Sequence, residues 1–222
     1  MTFQDRTQAG RMLANELRAY AGGEDAIVLG APRGGVPVAF EVARELKLPL
    51  DLFVIRKLGV PWQEELAFGA IAEGGVRILD QEIIGTLDIS PAQIEIVTRQ
   101  ERQELERRLH SYRAGRPALD VRGRTVILVD DGIATGSTAR AAITALREMK
   151  PERIVLAVPV APPSTCRRLQ GLVDELVVLE MPEPFYAIGQ FYLDFAPVSD
   201  QAVTELLARA NARDSPAVIE NG

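Results

Sequence analysis

Val126-Ile127-Leu128-Val129-Asp130-Asp131-Gly132-Ile133-Ala134-Thr135-Gly136-Ser137-Thr138 is the stretch from which the fold can be read. Residues 125–129 are a short apolar run, as expected of a strand covered on both faces. Two carboxylates arrive together at its C-terminal end. A turn of small and hydroxyl-bearing residues follows, and then Ala142, Ile143, Leu146 and Met149 share one face of a helix. Pro151 ends that helix, and residues 154–160 give a second buried strand. Strand, helix and strand in this order form a βαβ unit, whose crossover implies a parallel sheet.

The same pattern occurs upstream. Residues 26–30 are continuously apolar, residues 31–35 form a loop, and a helix carries Val38, Phe40, Val42, Ala43 and Leu46. After Pro49, residues 50–55 read as the next strand. A helix from Ser164 and a strand over 176–179 extend the series, so a doubly wound α/β domain with a mainly parallel sheet is expected, its core over about 25–180. Residues 8–20, with Met12, Leu13, Leu17 and Tyr20 on one stripe, form an amphipathic N-terminal helix that Gly22-Gly23 terminates. Between the two units, residues 67–73 and 76–79 flank Gly74-Gly75 as a hairpin. Ser90-Pro91-Ala92-Gln93 reads as a capping box that starts a highly charged helical insert over about 90–114. Its opposite charges stand four apart at Glu95/Arg99, Arg102/Glu106 and Glu104/Arg108, and Ile94, Val97, Leu105 and Leu109 form one narrow apolar stripe. That composition predicts a solvated helix at the domain edge.

The 222 residues carry 25 basic and 31 acidic side chains, a net charge of −6. An acidic balance argues against holding duplex nucleic acid. Cys166 and His110 are the only residues of their types, which excludes an intrachain disulfide, a Cys-based zinc cluster and a multi-His metal site. No apolar run approaches a membrane span, and the first residues lack a secretory pattern, so a cytoplasmic, single-domain protein is expected.

Asp130 and Asp131 stand where open α/β sheets bind ligands. The residues after them can turn tightly and present free N–H groups and hydroxyls at a helix N-terminus, which suits a phosphate. Adjacent carboxylates beside a phosphate cradle need a reason, and a vicinal diol or a bridging Mg²⁺ supplies one. The residues taken alone also fit a polar strand end followed by a capped helix.

The string Asp130-Asp131-Gly132-Ile133-Ala134-Thr135-Gly136-Ser137-Thr138 resembles the phosphoribosyl-diphosphate (PRPP) motif of type I phosphoribosyltransferases. Gly30-Ala31-Pro32-Arg33-Gly34-Gly35, which is neither a P-loop nor a G-x-G-x-x-G fingerprint, resembles the pyrophosphate loop of that family. Arg56-Lys57 looks like its Arg-Lys pair facing PRPP phosphates. The resemblance covers residues 27–160, with the three segments in the family's order. It implies that Asp130 and Asp131 hold the ribose hydroxyls and a Mg²⁺ ion, that 134–138 bind the 5′-phosphate with Gly132 and Ile133 in the same loop, and that Arg33, Gly34, Gly35, Arg56 and Lys57 face pyrophosphate. The implied activity is Mg-dependent transfer of ribose 5-phosphate from PRPP to a nitrogen base. The alternative is a PRPP- or nucleotide-binding regulator that keeps the fold.

Two departures bear on the acceptor. Hypoxanthine/guanine-type members carry a third acid where this chain has Ala134, and adenine- and orotate-type members carry another Lys where it has Leu58-Gly59-Val60-Pro61. Residues 61–68 fall where the family has its mobile catalytic loop, which makes Glu64 a candidate for proton transfer, with Glu65 beside it. The N-terminal helix and about 181–198 are expected to form a hood, in which Phe185, Tyr186, Phe191 and Tyr192 either stack on a base or pack as core. Trp62 is a candidate lid anchor, and the charged helix a candidate homodimer edge.

Overall fold

The computed structural model describes residues 2–115, 117 and 120–214, with backbone alone at Glu64, Glu65, Arg213 and Asp214. Five strands form a parallel sheet in the order β2-β1-β6-β7-β8: β1 Ala26–Gly30, β2 Leu50–Leu52, β6 Thr125–Val129, β7 Arg153–Val160 and β8 Glu175–Glu180. Central β1 and β6 align Ile27 with Val126 and Gly30 with Val129, so their C-terminal ends stand side by side. Side chains alternate across a strand. Val28, Ile127 and Val129 therefore pack with helices α1 Arg6–Glu16, α2 Gly35–Leu46 and α7 Asp200–Asp214. Ile27, Leu29, Val126 and Leu128 pack on the other face with α5 Ser137–Glu148 and α6 Pro163–Gln170. This is the doubly wound arrangement expected.

One strand differs from its reading. Residues 50–55 do not form a single strand: β2 ends at Leu52, and the chain passes through buried Phe53 and Val54 into β3 Ile55–Val60 of a second, antiparallel sheet. That sheet has the order β3-β4-β5, with β4 Gln63–Ala72 and β5 Arg77–Leu79. The expected hairpin about Gly74-Gly75 is present, but its first strand begins earlier, so residues 61–68 are a turn and the start of β4 rather than an open loop.

A short helix α3 Gln81–Thr86 precedes α4 Pro91–Arg113, which begins with the capping box read from the sequence. Its stripe is covered: Leu105 is buried, and Ile94, Val97 and Leu109 pack against the core. Glu104 pairs with Arg108 as spaced, but Glu95 reaches Arg77 and Glu101 reaches Arg56 on the second sheet. The helix is thus docked at the edge, not merely solvated. Among the described residues no helix is long and apolar enough to cross a membrane.

The last turn of α4 carries a buried cation. Arg113 Nη1 lies 2.5 Å from Glu73 Oε2, its Nε is 3.4 Å from Asp51 Oδ1, and Nη2 donates to the Leu52 carbonyl at 3.4 Å. The guanidinium joins the insert, the hairpin and β2. Burial pushes the Glu73 carboxyl upward against the pull of Arg113. Arg113→Met, which orphans that carboxylate, should destabilise the fold by roughly 3–5 kcal/mol at neutral pH in urea unfolding. Because Glu73 is easier to protonate when folded, the deficit should shrink as the pH falls through its raised titration range.

Candidate functional site

β6 delivers Asp130 and Asp131 to the C-terminal edge of the sheet. Asp130 Oδ1 accepts the Asp131 N–H at 2.8 Å. Asp131 is only 7% exposed, and its Oδ2 accepts from Arg6 Nε at 2.8 Å. Burial, and then the charge of Asp131, push the Asp130 carboxyl well above the ordinary carboxylate range. Asp131 is also raised, burial outweighing the pull of Arg6. Adjacent acids in this state favour a ligand that brings hydroxyl donors or positive charge.

The loop between β1 and α2 lies against this doublet. Its start is pinned by the Ala31 N–H, which donates to the Val129 carbonyl at 2.9 Å. A Cβ on Gly34 would overlap Asp131 Oδ2, and one on Gly35 would come within 2.8 Å of the Asp130 Cα. Glycine is required here by close approach. Arg33 is exposed, with Nη1 3.7 Å from Asp200 Oδ1 at the start of α7. The same oxygen accepts from Tyr112 Oη at 2.8 Å, and burial with Asp200 nearby lifts that phenol to about 12.

After the doublet the chain turns through Gly136, whose φ of 78° suits glycine, into α5. The Arg140 N–H makes the first helical bond, to the Gly136 carbonyl, so the amides of Ser137, Thr138 and Ala139 have no helical partner. Thr135 Oγ1 and Ser137 Oγ lie 3.4 Å apart. The loop is held from behind by α6: buried Thr165 donates to the Ala134 carbonyl at 2.7 Å, and Arg168 Nη2 donates to the Thr135 carbonyl at 3.2 Å. Gly132 packs beneath Ile188 and Val160, and the Ile133 N–H donates to the Val160 carbonyl. Ala134 and Thr138 complete the segment.

The Arg-Lys pair is placed differently from its reading. Arg56 and Lys57 sit on β3 of the second sheet, where neighbouring side chains point to opposite faces. Arg56 Nε is tied to Glu101 Oε2 at 2.6 Å. Lys57 lines a cavity of about 550 Å³ together with Ser137 and Arg140, and one of about 500 Å³ together with Arg56. Lys57, but not Arg56, thus shares a cavity with Ser137 at the start of α5. Glu64 lies in β4, with its side chain outside the described residues.

The aromatic segment divides likewise. Tyr192 is buried against Phe3 at 5.4 Å between ring centroids, and its Oη donates to the Asp131 carbonyl at 2.6 Å. Phe185 and Phe191 pack on each other. Tyr186 and Trp62 are exposed. Packing, not an open stacking face, accounts for Tyr192. Sequence reasoning missed Arg6, Thr165 and Arg168, which act across the fold on loop atoms and carry no local motif.

Comparison with known proteins places the chain in a family. A model of the phosphoribosyl transferase domain matches residues 3–196. Proteins of two Mycobacterium tuberculosis strains, provisionally named phosphoribosyl transferases, are each 48% identical over 209 residues, which is 94% of this chain and 47% of theirs. The chain thus spans about half the length of these relatives. The bifunctional protein PyrR of Chloroflexus aurantiacus is 37% identical over 107 residues, 47% of this chain and 52% of that protein. The crystal structure of TT1426 from Thermus thermophilus superposes with a TM-score of 0.85 at 42% identity, covering 94% of this chain and 99% of that one. With a family model running from Phe3 through the acid doublet to the aromatic segment, the chain belongs to the phosphoribosyl transferase domain family.

Proposed function

We propose that this domain transfers the ribose 5-phosphate group of PRPP to a nitrogen base and releases pyrophosphate. The observation that carries the reading is the convergence at Asp131, whose carboxylate touches Gly34 of one loop while its own chain runs on into the amide-rich start of α5. In this reading Asp130 and Asp131 take the ribose 2′ and 3′ hydroxyls. The free amides and hydroxyls of 134–138 take the 5′-phosphate. The backbone of Gly34-Gly35, with Arg33 and Lys57 as cations, faces pyrophosphate. Arg56, already paired with Glu101, is left out of that set.

Displacement at the anomeric carbon passes through an oxocarbenium-like state. These residues therefore act by fixing both ends of the pentose and by offsetting charge on the departing pyrophosphate. Magnesium fits the donor set: two hard carboxylates, with the remaining positions left to water and ligand oxygens. Among the described residues no cluster of three acids, His or Cys could hold the ion by itself. When bound, the ion would add positive charge beside the leaving group. Ala134 in place of a third acid leaves the base side of the loop neutral.

Calorimetry with PRPP and Mg²⁺ tests the site. Asp131→Asn should weaken PRPP binding by at least 100-fold while the far-UV spectrum stays unchanged; unaltered binding would dismiss the assignment. Thr165→Val should weaken ribose 5-phosphate about tenfold and leave ribose nearly unaffected, because only the phosphate needs the Ala134 peptide oriented. Pyrophosphate release measured over a panel of free bases then separates the transferase from a PRPP-binding regulator, which would release none.

Asp130 should also be costly to the fold. Its folded-state titration is raised, so stability is lost as the pH climbs from about 4 through that raised value. Asp130→Asn should remove that slope and gain about 1 kcal/mol at pH 7 and above in thermal unfolding, while abolishing PRPP binding.

A further inference from the structure

The N-terminal helix puts one charged side chain into the middle of the site. Asp5 caps α1 by accepting the Gln8 N–H at 2.7 Å, and Arg6 is the first helical residue. Its Nε donates to Asp131 Oδ2 at 2.8 Å, and its Nη1 donates to the Ala196 carbonyl at 2.9 Å. The guanidinium carbon lies 3.9 Å from the Phe195 ring centroid. The two side chains of the ion pair are 11% and 10% exposed. A planar fork held by two hydrogen bonds and a ring has one orientation available. Shielding a buried charge would require only the first of those contacts.

The oxygens of the doublet divide evenly. Asp131 commits Oδ2 to Arg6, and Asp130 commits Oδ1 to the Asp131 N–H. These two bonds leave Asp131 Oδ1 and Asp130 Oδ2, on carboxyls that also face each other, to accept from a ligand. Two acceptors on consecutive residues match two hydroxyl donors on consecutive carbons. A sugar with one of those hydroxyls missing leaves a desolvated acceptor without a partner, which costs far more than a neutral contact would gain. The discrimination holds only while the Asp131 carboxylate cannot rotate to find another donor.

Resting on the function proposed above, we propose that Arg6 is a positioning residue of the sugar site: by fixing the Asp131 carboxylate it makes the acid doublet select ribose over 2-deoxyribose. In this role Arg6 acts on the sugar through Asp131.

Dissociation constants of ribose 5-phosphate and 2-deoxyribose 5-phosphate, measured by calorimetry on the full chain, test this. The wild type should prefer the ribose form by about tenfold or more. Arg6→Met keeps the bulk and removes the charge, and should bring the preference to within about threefold, chiefly by weakening the ribose form. Arg6→Lys restores a donor to Asp131 but not the fork, and should give an intermediate ratio. Phe195→Leu keeps Arg6 and loosens its seat, and should lower the ratio less than Arg6→Met does. Equal weakening of both sugars in Arg6→Met would overturn the inference in favour of plain structural support. If Arg6→Met does not fold, wild-type ratios in both Arg6→Lys and Phe195→Leu would overturn it. A wild type that binds ribose 5-phosphate without discriminating sinks the role of Arg6 alone. A wild type that binds neither sugar phosphate, with PRPP binding unchanged in Asp131→Asn, sinks the reading of the site and the inference with it.

Discussion

The carboxylate of Asp131 occupies the space where a side chain on Gly34 would stand. That single contact dictates much of the sheet's C-terminal edge. The loop after β1 must be glycine where it passes the acids, and its backbone comes close enough to the doublet for one ligand to bridge both. The parallel register of β1 and β6 makes the approach possible, since Gly30 and Val129 end their strands at the same height. The paired ends of the central strands, the glycines and the doublet are one arrangement, and none of its members can be altered independently.

The arrangement is electrostatically uncomfortable. Two adjacent acids are partly removed from water, and one cation answers them from α1. Proteins tolerate such local conflict where a ligand resolves it. The rest of the fold compensates by ordinary means. Both faces of the sheet are covered by aliphatic side chains, and the insert is held down at one end by its capping box and at the other by the buried Arg113. The turn between β6 and α5 has its own support, because Thr165 and Arg168 of α6 donate to the carbonyls of Ala134 and Thr135.

What was legible in the sequence is what depends on near neighbours along the chain. The runs at 26–30, 125–129 and 154–160 gave the sheet, Ser90-Pro91 gave the start of α4, and the nine residues from Asp130 gave the loop. The break between β2 and β3 was not legible, since residues 50–55 are apolar but for Asp51 and no periodicity marks where a strand leaves one sheet for another. Reading them as one strand also put Arg56 and Lys57 together at an edge, whereas in β3 they face apart. α7 was overlooked although Ser199 caps it, and Val203, Leu206, Leu207 and Ala210 mark its inner face. Arg6, Thr165 and Arg168 could not be found by motif, because each acts on an atom brought near only by the finished fold.

The position of Arg6 also bears on the order in which the domain is assembled. It is separated along the chain by 125 residues from the carboxylate it orients and by 190 from the carbonyl that anchors it. Contacts of such span form late, after local helices and nearby strands have settled. On a ribosome the first helix would wait, its arginine unengaged, until nearly the whole domain had emerged. The orientation of the Asp131 carboxylate is therefore among the last features of the candidate site to mature.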